Sequence, residues 1–295
     1  MRFARDLRTV GAVALKDFRA AVSSWKFLIV SVAAGVILLL LAYGVSSSAI
    51  AAQASAERLT LWQRGAEGAV AAFAFGFLPL VIPLVAVGLS YDARRKDRAS
   101  GFLETALSRP APRWAIALGG FLGLFVAISI TVLLITLAGI AIIEARLSAL
   151  PSWDLVAPIL IGALLLTALY LGLVLLLTTF LTPGATTSLM VLLWFVFNLT
   201  RQTPFIISGQ FLLILQIKEA QTFETGWADW LSFTGMYQGF LAPFVPESLV
   251  FVVRPVITDL GAALAYQSVL AAGLVWLFAL VILYLALVTR YPLGR

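Results

Sequence analysis

The residues that come closest to a chemical constellation are two hydroxyl clusters, Ser46-Ser47-Ser48 and Thr178-Thr179, and one charged pair, Glu144 and Arg146. A serine or threonine nucleophile needs an adjacent base. The commonest one is missing, because the chain contains no histidine and no cysteine. That excludes imidazole bases and pH switches, thiolate chemistry, disulfides, and imidazole or thiolate metal ligands. Both hydroxyl clusters stand at the ends of apolar runs, where capping and backbone hydrogen bonding account for them. Glu144 and Arg146 read first as an interfacial anchor pair and second as an outside gate or a contact for a substrate headgroup. A membrane-embedded enzyme would need nucleophiles, acids or metal ligands gathered at one depth, and none are gathered. No G-x-x-x-x-G-K-[ST] stretch occurs, so ATP phosphates have no P-loop to bind.

The elements that could position such residues are set by the bilayer. Hydrophobic residues make up 62% of the chain and charged ones 12%, against roughly 45–50% and about 25% in soluble domains. A crossing helix needs about 20 apolar residues to span about 30 Å. The expected fold is all-α and polytopic, with six transmembrane helices over 27–47, 68–91, 114–143, 155–181, 184–200 and 262–289. Thr182-Pro183-Gly184 divides an uncharged run too long for one helix, since proline lacks a donor and glycine permits a reversed turn. Pro204–Ile217 reads as an extension of the fifth helix followed by an interfacial return. Residues 218–260 read as an outside segment on the headgroups, with Trp227, Trp230, Tyr237 and Phe240 as an aromatic belt. Pro79 and Pro83 predict a kink in the second span, either as a hinge or as a plain packing kink. Gly119, Gly120 and Gly123 in the third suit close helix approach near the inner leaflet, with lipid-facing glycine as the alternative.

Orientation follows from lysine and arginine. With both termini in the cytoplasm, fourteen of the 20 cations lie inside: Arg2, Arg5, Arg8, Lys16, Arg19, Lys26, Arg94, Arg95, Lys96, Arg98, Arg109, Arg113, Arg290 and Arg295. This bias accounts for the net charge of +6 without any nucleic-acid partner. The expected location is the plasma or inner membrane. The first twenty-odd residues lack a cleavable signal's short apolar core and small-residue site, so the first span is expected to act as an uncleaved anchor.

Residues 1–25 form an amphipathic helix before the first span. Phe3, Leu7, Val10, Ala14, Phe18, Val22 and Trp25 recur at three- and four-residue steps, while Arg5, Arg8, Lys16 and Arg19 lie largely off that stripe. Such a helix lies in the interface, apolar side in the acyl boundary and cations near anionic headgroups. A plain basic tail is the alternative. The loop 92–113 opens with charge, then carries a short amphipathic turn over Gly101–Ser108. There Phe102/Ala106 and Leu103/Leu107 pair at four-residue spacing before Pro110 and Pro112 end it. These apolar residues suit docking into a protein groove; a solvated connector is the alternative.

This order of parts resembles the membrane subunit of type-2 ATP-binding-cassette exporters, the ABC-2 permeases. In that family an interfacial "elbow" helix precedes the first span. The loop between spans two and three carries an acidic residue, Gly-Thr, a leucine-rich turn, Pro and Arg. Here Asp97, Gly101, the Leu103–Leu107 turn, Pro110 and Arg113 occupy those positions. Phe102 stands where threonine is usual, Gly120 where a lysine is, and Asp97 replaces the longer glutamate. Leu80–Ser90 followed by Tyr91-Asp92 is similar to the branch associated with copper-enzyme maturation. With no Cys or His and only three Met, however, the chain offers no relay for a soft metal.

The resemblance implies an elbow over 1–25 and a single transmembrane domain over 26–295. It also implies a permease that pairs with a second copy, as a homodimer or a heterodimer, and docks one ATPase subunit per permease. Residues 97–109 would form the coupling helix, with Asp97, Gly101, Phe102, Leu103, Leu107, Pro110 and Arg113 as its coupling residues. Phe3, Leu7, Phe18 and Trp25 would seat the elbow. The chain itself would hold no catalytic residue, cofactor or metal, ATP and Mg being bound by the partner. The expected cargo is amphiphilic or hydrophobic. An ion-coupled secondary transporter or channel of another fold is the alternative. The span centres carry no Asp, Glu, Lys, Arg or His to mark an ion path, although sodium coupling through carbonyls and hydroxyls stays open.

Overall fold

In a computed structural model, residues 2–54, 65–93, 112–206, 232–241, 244 and 262–290 are described, and among them no strand occurs. The helices are α1 (Arg2–Val22), α2 (Trp25–Ala54), α3 (Gly65–Gly76), α4 (Leu78–Ser90), α5 (Arg113–Leu147), α6 (Trp153–Leu177), α7 (Pro183–Ile206), α8 (Phe233–Leu241) and α9 (Ala262–Arg290). Four segments among the described residues are long and apolar enough to cross a membrane: Trp25–Ile50, Arg113–Leu147, Trp153–Leu177 and Ala271–Thr289. α3 and α4 together make a fifth, bent by 44° at Phe77. The remaining expected crossing, 184–200, falls within α7, whose described apolar part, Pro183–Val196, is shorter.

Local chemistry explains the breaks. Ser24 separates α1 from α2: its hydroxyl donates back to the Ala21 carbonyl at 2.7 Å and accepts the Phe27 amide at 3.1 Å. Trp25 therefore opens α2 rather than closing the N-terminal helix. Thr182 accepts the Ala185 amide at 3.4 Å, with Pro183 at the first helical position, where its missing donor does no harm. Ser148 closes α5 in the left-handed conformation, at φ 51°.

α6 is the most enclosed of the long helices and touches α4, α5, α8 and α9. α2 packs on α4 and α5 and leaves Leu28, Ile29, Val32, Val36, Ile37 and Leu40 pointing outward. A helix this apolar all round, half covered by protein, suits a lipid environment. Two bundle ends are distinguishable. Lys26, Asp92, Arg113 and Thr289 share one, here called proximal, while Tyr43, Ser47 and Arg146 share the other.

Candidate functional site

At the proximal end, α1 lies along α5 on a seam that only glycine permits. A Cβ at position 119 would stand 2.7 Å from the Val10 carbonyl oxygen and 2.7 Å from the Val13 Cβ. One at position 123 would overlap the Ala14 carbonyl oxygen. Small residues four apart let helix backbones approach this closely. The apolar stripe of α1 is consequently divided. Val10 and Val13 are buried, whereas Leu7, Leu15 and Val22 are exposed, with Phe18 half-buried between the two sets. Trp25 is 73% exposed at the start of α2. Phe3 belongs to α1, but its side chain lies outside the described residues. Helical periodicity alone grouped Val10 with Leu7; the glycine pair on α5 is the signal that separates them.

Charge closes the same end. Lys26 forms an ion pair with Asp92, and its ammonium lies 4.0 Å from the centre of the Tyr91 ring. The start of α2 is thereby tied to the residue that follows α4. Arg113, the first residue of α5, donates from Nη1 to the Thr289 carbonyl of α9 at 3.4 Å.

The middle of the bundle holds the least expected arrangement. Proline at 79 has no N–H to give the carbonyl four residues back, which is that of Phe75. Phe77 still donates to Phe73 at 3.0 Å, but the ladder restarts beyond it, with Leu80 and Val81 donating to the Phe77 carbonyl at 3.1 and 3.2 Å. Two carbonyls at this break receive donors from α8. Tyr237 donates its hydroxyl to Ala74 O at 3.2 Å, and Gln238 donates Nε2 to Phe75 O at 3.1 Å. A backbone carbonyl left unsatisfied in hydrocarbon costs several kcal/mol. Hydrophobic burial gains little over lipid tails, so close packing and interhelical hydrogen bonds hold a helix here. The two polar donors join the packing described next in holding α8 against the break. Gly162 on α6 leaves the room: a Cβ there would stand 3.0 Å from the Tyr237 ring and 3.1 Å from that of Phe240. Tyr170 meets Phe233 edge to face, centroids 5.4 Å apart.

This corrects the expectation for Tyr237 and Phe240. The sequence pattern places both in a headgroup belt within an outside segment, whereas both are buried, at 1% and 4% exposure. Trp227 and Trp230 lie outside the described residues. The predicted kink in the second span is present, and the break falls at Phe77, just ahead of Pro79.

At the distal end Arg146 lies 3.8 Å from the centre of the Tyr43 ring and donates from Nη2 to the Ser47 hydroxyl at 3.0 Å. Ser46 and Ser47 each donate back to the Tyr43 carbonyl, at 2.8 and 2.9 Å, and Ser48 to that of Gly44 at 3.0 Å. The serine protons are spent on their own helix, as the capping reading expected. Among the described residues, no group of three or more Asp and Glu is placed to hold a metal ion.

The sequence profile of a family described as ABC-2 family transporter protein matches residues 11–290. The chain belongs to that family. It is a polytopic membrane protein and a membrane transport component of ABC-2 type. No curated protein matches it. Of the coupling residues expected for an ABC-2 permease, Arg113 is described and is anchored on α9 as above. Asp97, Gly101, Phe102, Leu103, Leu107 and Pro110 lie outside the described residues. The joint at Phe77, with its partners Tyr237 and Gln238, was not found by sequence reasoning beyond the two prolines.

Proposed function

We propose that this chain is the membrane-spanning permease subunit of an ATP-driven exporter, moving an amphiphilic or hydrophobic substrate with ATP hydrolysed by a separate subunit. The family match over residues 11–290 carries the reading. The lack of a P-loop in the chain agrees with it, ATP and Mg being bound in this reading by the partner ATPase. The absence of an ionisable residue at the span centres disfavours ion coupling.

In this reading six spans carry the chain through the plasma or inner membrane, with both termini and the proximal end in the cytoplasm. α1 is the elbow, with Leu7, Leu15 and Val22 toward lipid and the arginines toward headgroups. Residues 97–109 form the coupling helix: Phe102, Leu103 and Leu107 enter a groove of the ATPase, Gly101 admits close approach, and Asp97 caps the segment or pairs with a basic residue of the partner. Pro110 and Arg113 fix its return to α5. Two permease copies, taken here as identical, would pair with two ATPase subunits.

Purification in mild detergent tests this. The expected particle contains a second protein bearing a P-loop, and ATP turnover accompanies it. A chain that moves substrate in ATPase-free vesicles would sink the proposal.

A further inference from the structure

We propose that α8 is a latch for a joint in the second span: Gln238 stands in for the N–H that Pro79 lacks, Tyr237 holds the neighbouring carbonyl, and together they set the bend at Phe77. The joint has the necessary parts. Its two arms, Gly65–Gly76 and Leu78–Ser90, meet at 44°. The carbonyls of Ala74 and Phe75, the last turn of the upper arm, receive donors from a helix 163 residues away. α8 is in turn held by elements other than the joint. It packs on α6 through the space left at Gly162, and Phe233 lies 6.2 Å, centroid to centroid, from Trp276 of α9. The upper arm is backed from another side, because a Cβ at Gly139 of α5 would stand 2.6 Å from the tip of Phe73. The lower arm runs directly into residues 91–113.

A proline kink lacks a ladder bond at its inner side, so its bend is not fixed by the helix itself. A kink whose stranded carbonyls are held by side-chain donors has a bound and a released form, because those bonds can be exchanged. Gln238 and Tyr237 are positioning residues in this account; neither touches a substrate. The joint needs no ATPase to exist. Its use in transmitting a push from the coupling loop rests on the permease reading above, so its test employs the permease alone.

The chain has no cysteine, so labels can be placed at chosen sites. Spin labels at Leu84→Cys on the lower arm and Leu122→Cys on α5 occupy outward positions, 42% and 36% exposed in the natural residues. In lipid nanodiscs the natural latch should give one narrow distance distribution. Gln238→Leu should broaden it or shift it by up to about 7 Å, the displacement from a 1.5 Å rise over the seven residues after Phe77 turned through 44°. Pro79→Ala restores the missing donor, so it should shift the distance by itself. It should also cut the Tm loss caused by Gln238→Leu by at least half. An equal Tm loss in both backgrounds, or a distance indifferent to both substitutions, would overturn the latch. If Gln238→Leu alone is too unstable to purify, the Pro79→Ala/Gln238→Leu chain should be recoverable; failure of both would equally overturn it. Absence of a bound ATPase would refute the permease reading and leave each of these outcomes decisive.

Discussion

Lys26 and Asp92 stand 66 positions apart in the chain and form one ion pair, joining the first residues of α2 to the end of the second span. Their side chains are 22% and 19% exposed. The pair therefore belongs between exposed bridges, worth about 0.2–1 kcal/mol, and fully buried ones, whose breaking costs about 3–5 kcal/mol. Asp92→Asn should lower the Tm of the purified chain by an intermediate amount. The exchanged pair Lys26→Asp/Asp92→Lys should recover part of that loss. A double-mutant cycle with no coupling would show that the two charges are independent.

The glycine seam makes a second prediction. Gly123→Val forces a side chain into the Ala14 backbone, and Gly119→Val does the same at Val10 and Val13. Overpacking of this kind costs about 1–3 kcal/mol, and backbone cannot yield as a flexible side chain can. Each should lower Tm and free α1 for proteolysis. Gly44→Ala, where a Cβ would meet nothing within 4 Å, serves as the neutral control. Equal behaviour of all three would remove the seam.

Topology is checked by introduced cysteines. Positions 95 and 295 should be labelled by a membrane-impermeant reagent only after the cytoplasmic side is opened. Ser148→Cys, at the end of α5, should react in intact cells. Labelling of position 95 from outside would overturn the orientation.

The coupling loop gives the strongest effect. Burying one leucine at an interface is worth on the order of 1.5–3 kcal/mol, and an unpaired carboxylate in its place adds a desolvation penalty. Leu103→Asp with Leu107→Asp should thus weaken ATPase co-purification by at least roughly a hundredfold. Asp97→Ala should separate ATP turnover from transport more than it harms folding. Arg58→Ala and Arg64→Ala, assigned to the opposite face of the membrane, should leave association intact. Natural association in the double leucine variant would reduce the loop to a connector.

Much of the bundle is legible in the chain itself. Apolar runs bounded by charge predict α2, α5, α6 and α9 closely, because a bilayer rewards length and apolarity over any tertiary detail. Thr182-Pro183 breaks where backbone chemistry demands. What escapes is anything decided across the bundle. Tyr237 carries an apolar ring and a polar tip, the same pattern whether it meets headgroups or a stranded carbonyl. Only the position of Ala74, 163 residues earlier, distinguishes the two. α8 is also too short at nine residues to register as a crossing. The face of α1 was ambiguous for a related reason: its stripe spans two apolar environments, lipid and the glycine groove of α5, that hydropathy does not separate. For residues 97–110 the amphipathic turn Gly101–Ser108 suggests docking into a protein groove, and the coupling role comes from the family resemblance.

The bond between Gln238 and Phe75 also orders the protein's biogenesis. Synthesis runs from the N-terminus, so the second span is inserted well over a hundred residues before its donor exists. Until then the Phe75 carbonyl lacks the Gln238 donor. The native setting of the bend at Phe77 is therefore completed only when α8 has emerged and docked on α6. A chain cut before residue 232 should remain a substrate for membrane chaperones and proteases, however completely its first five hydrophobic segments have entered the bilayer.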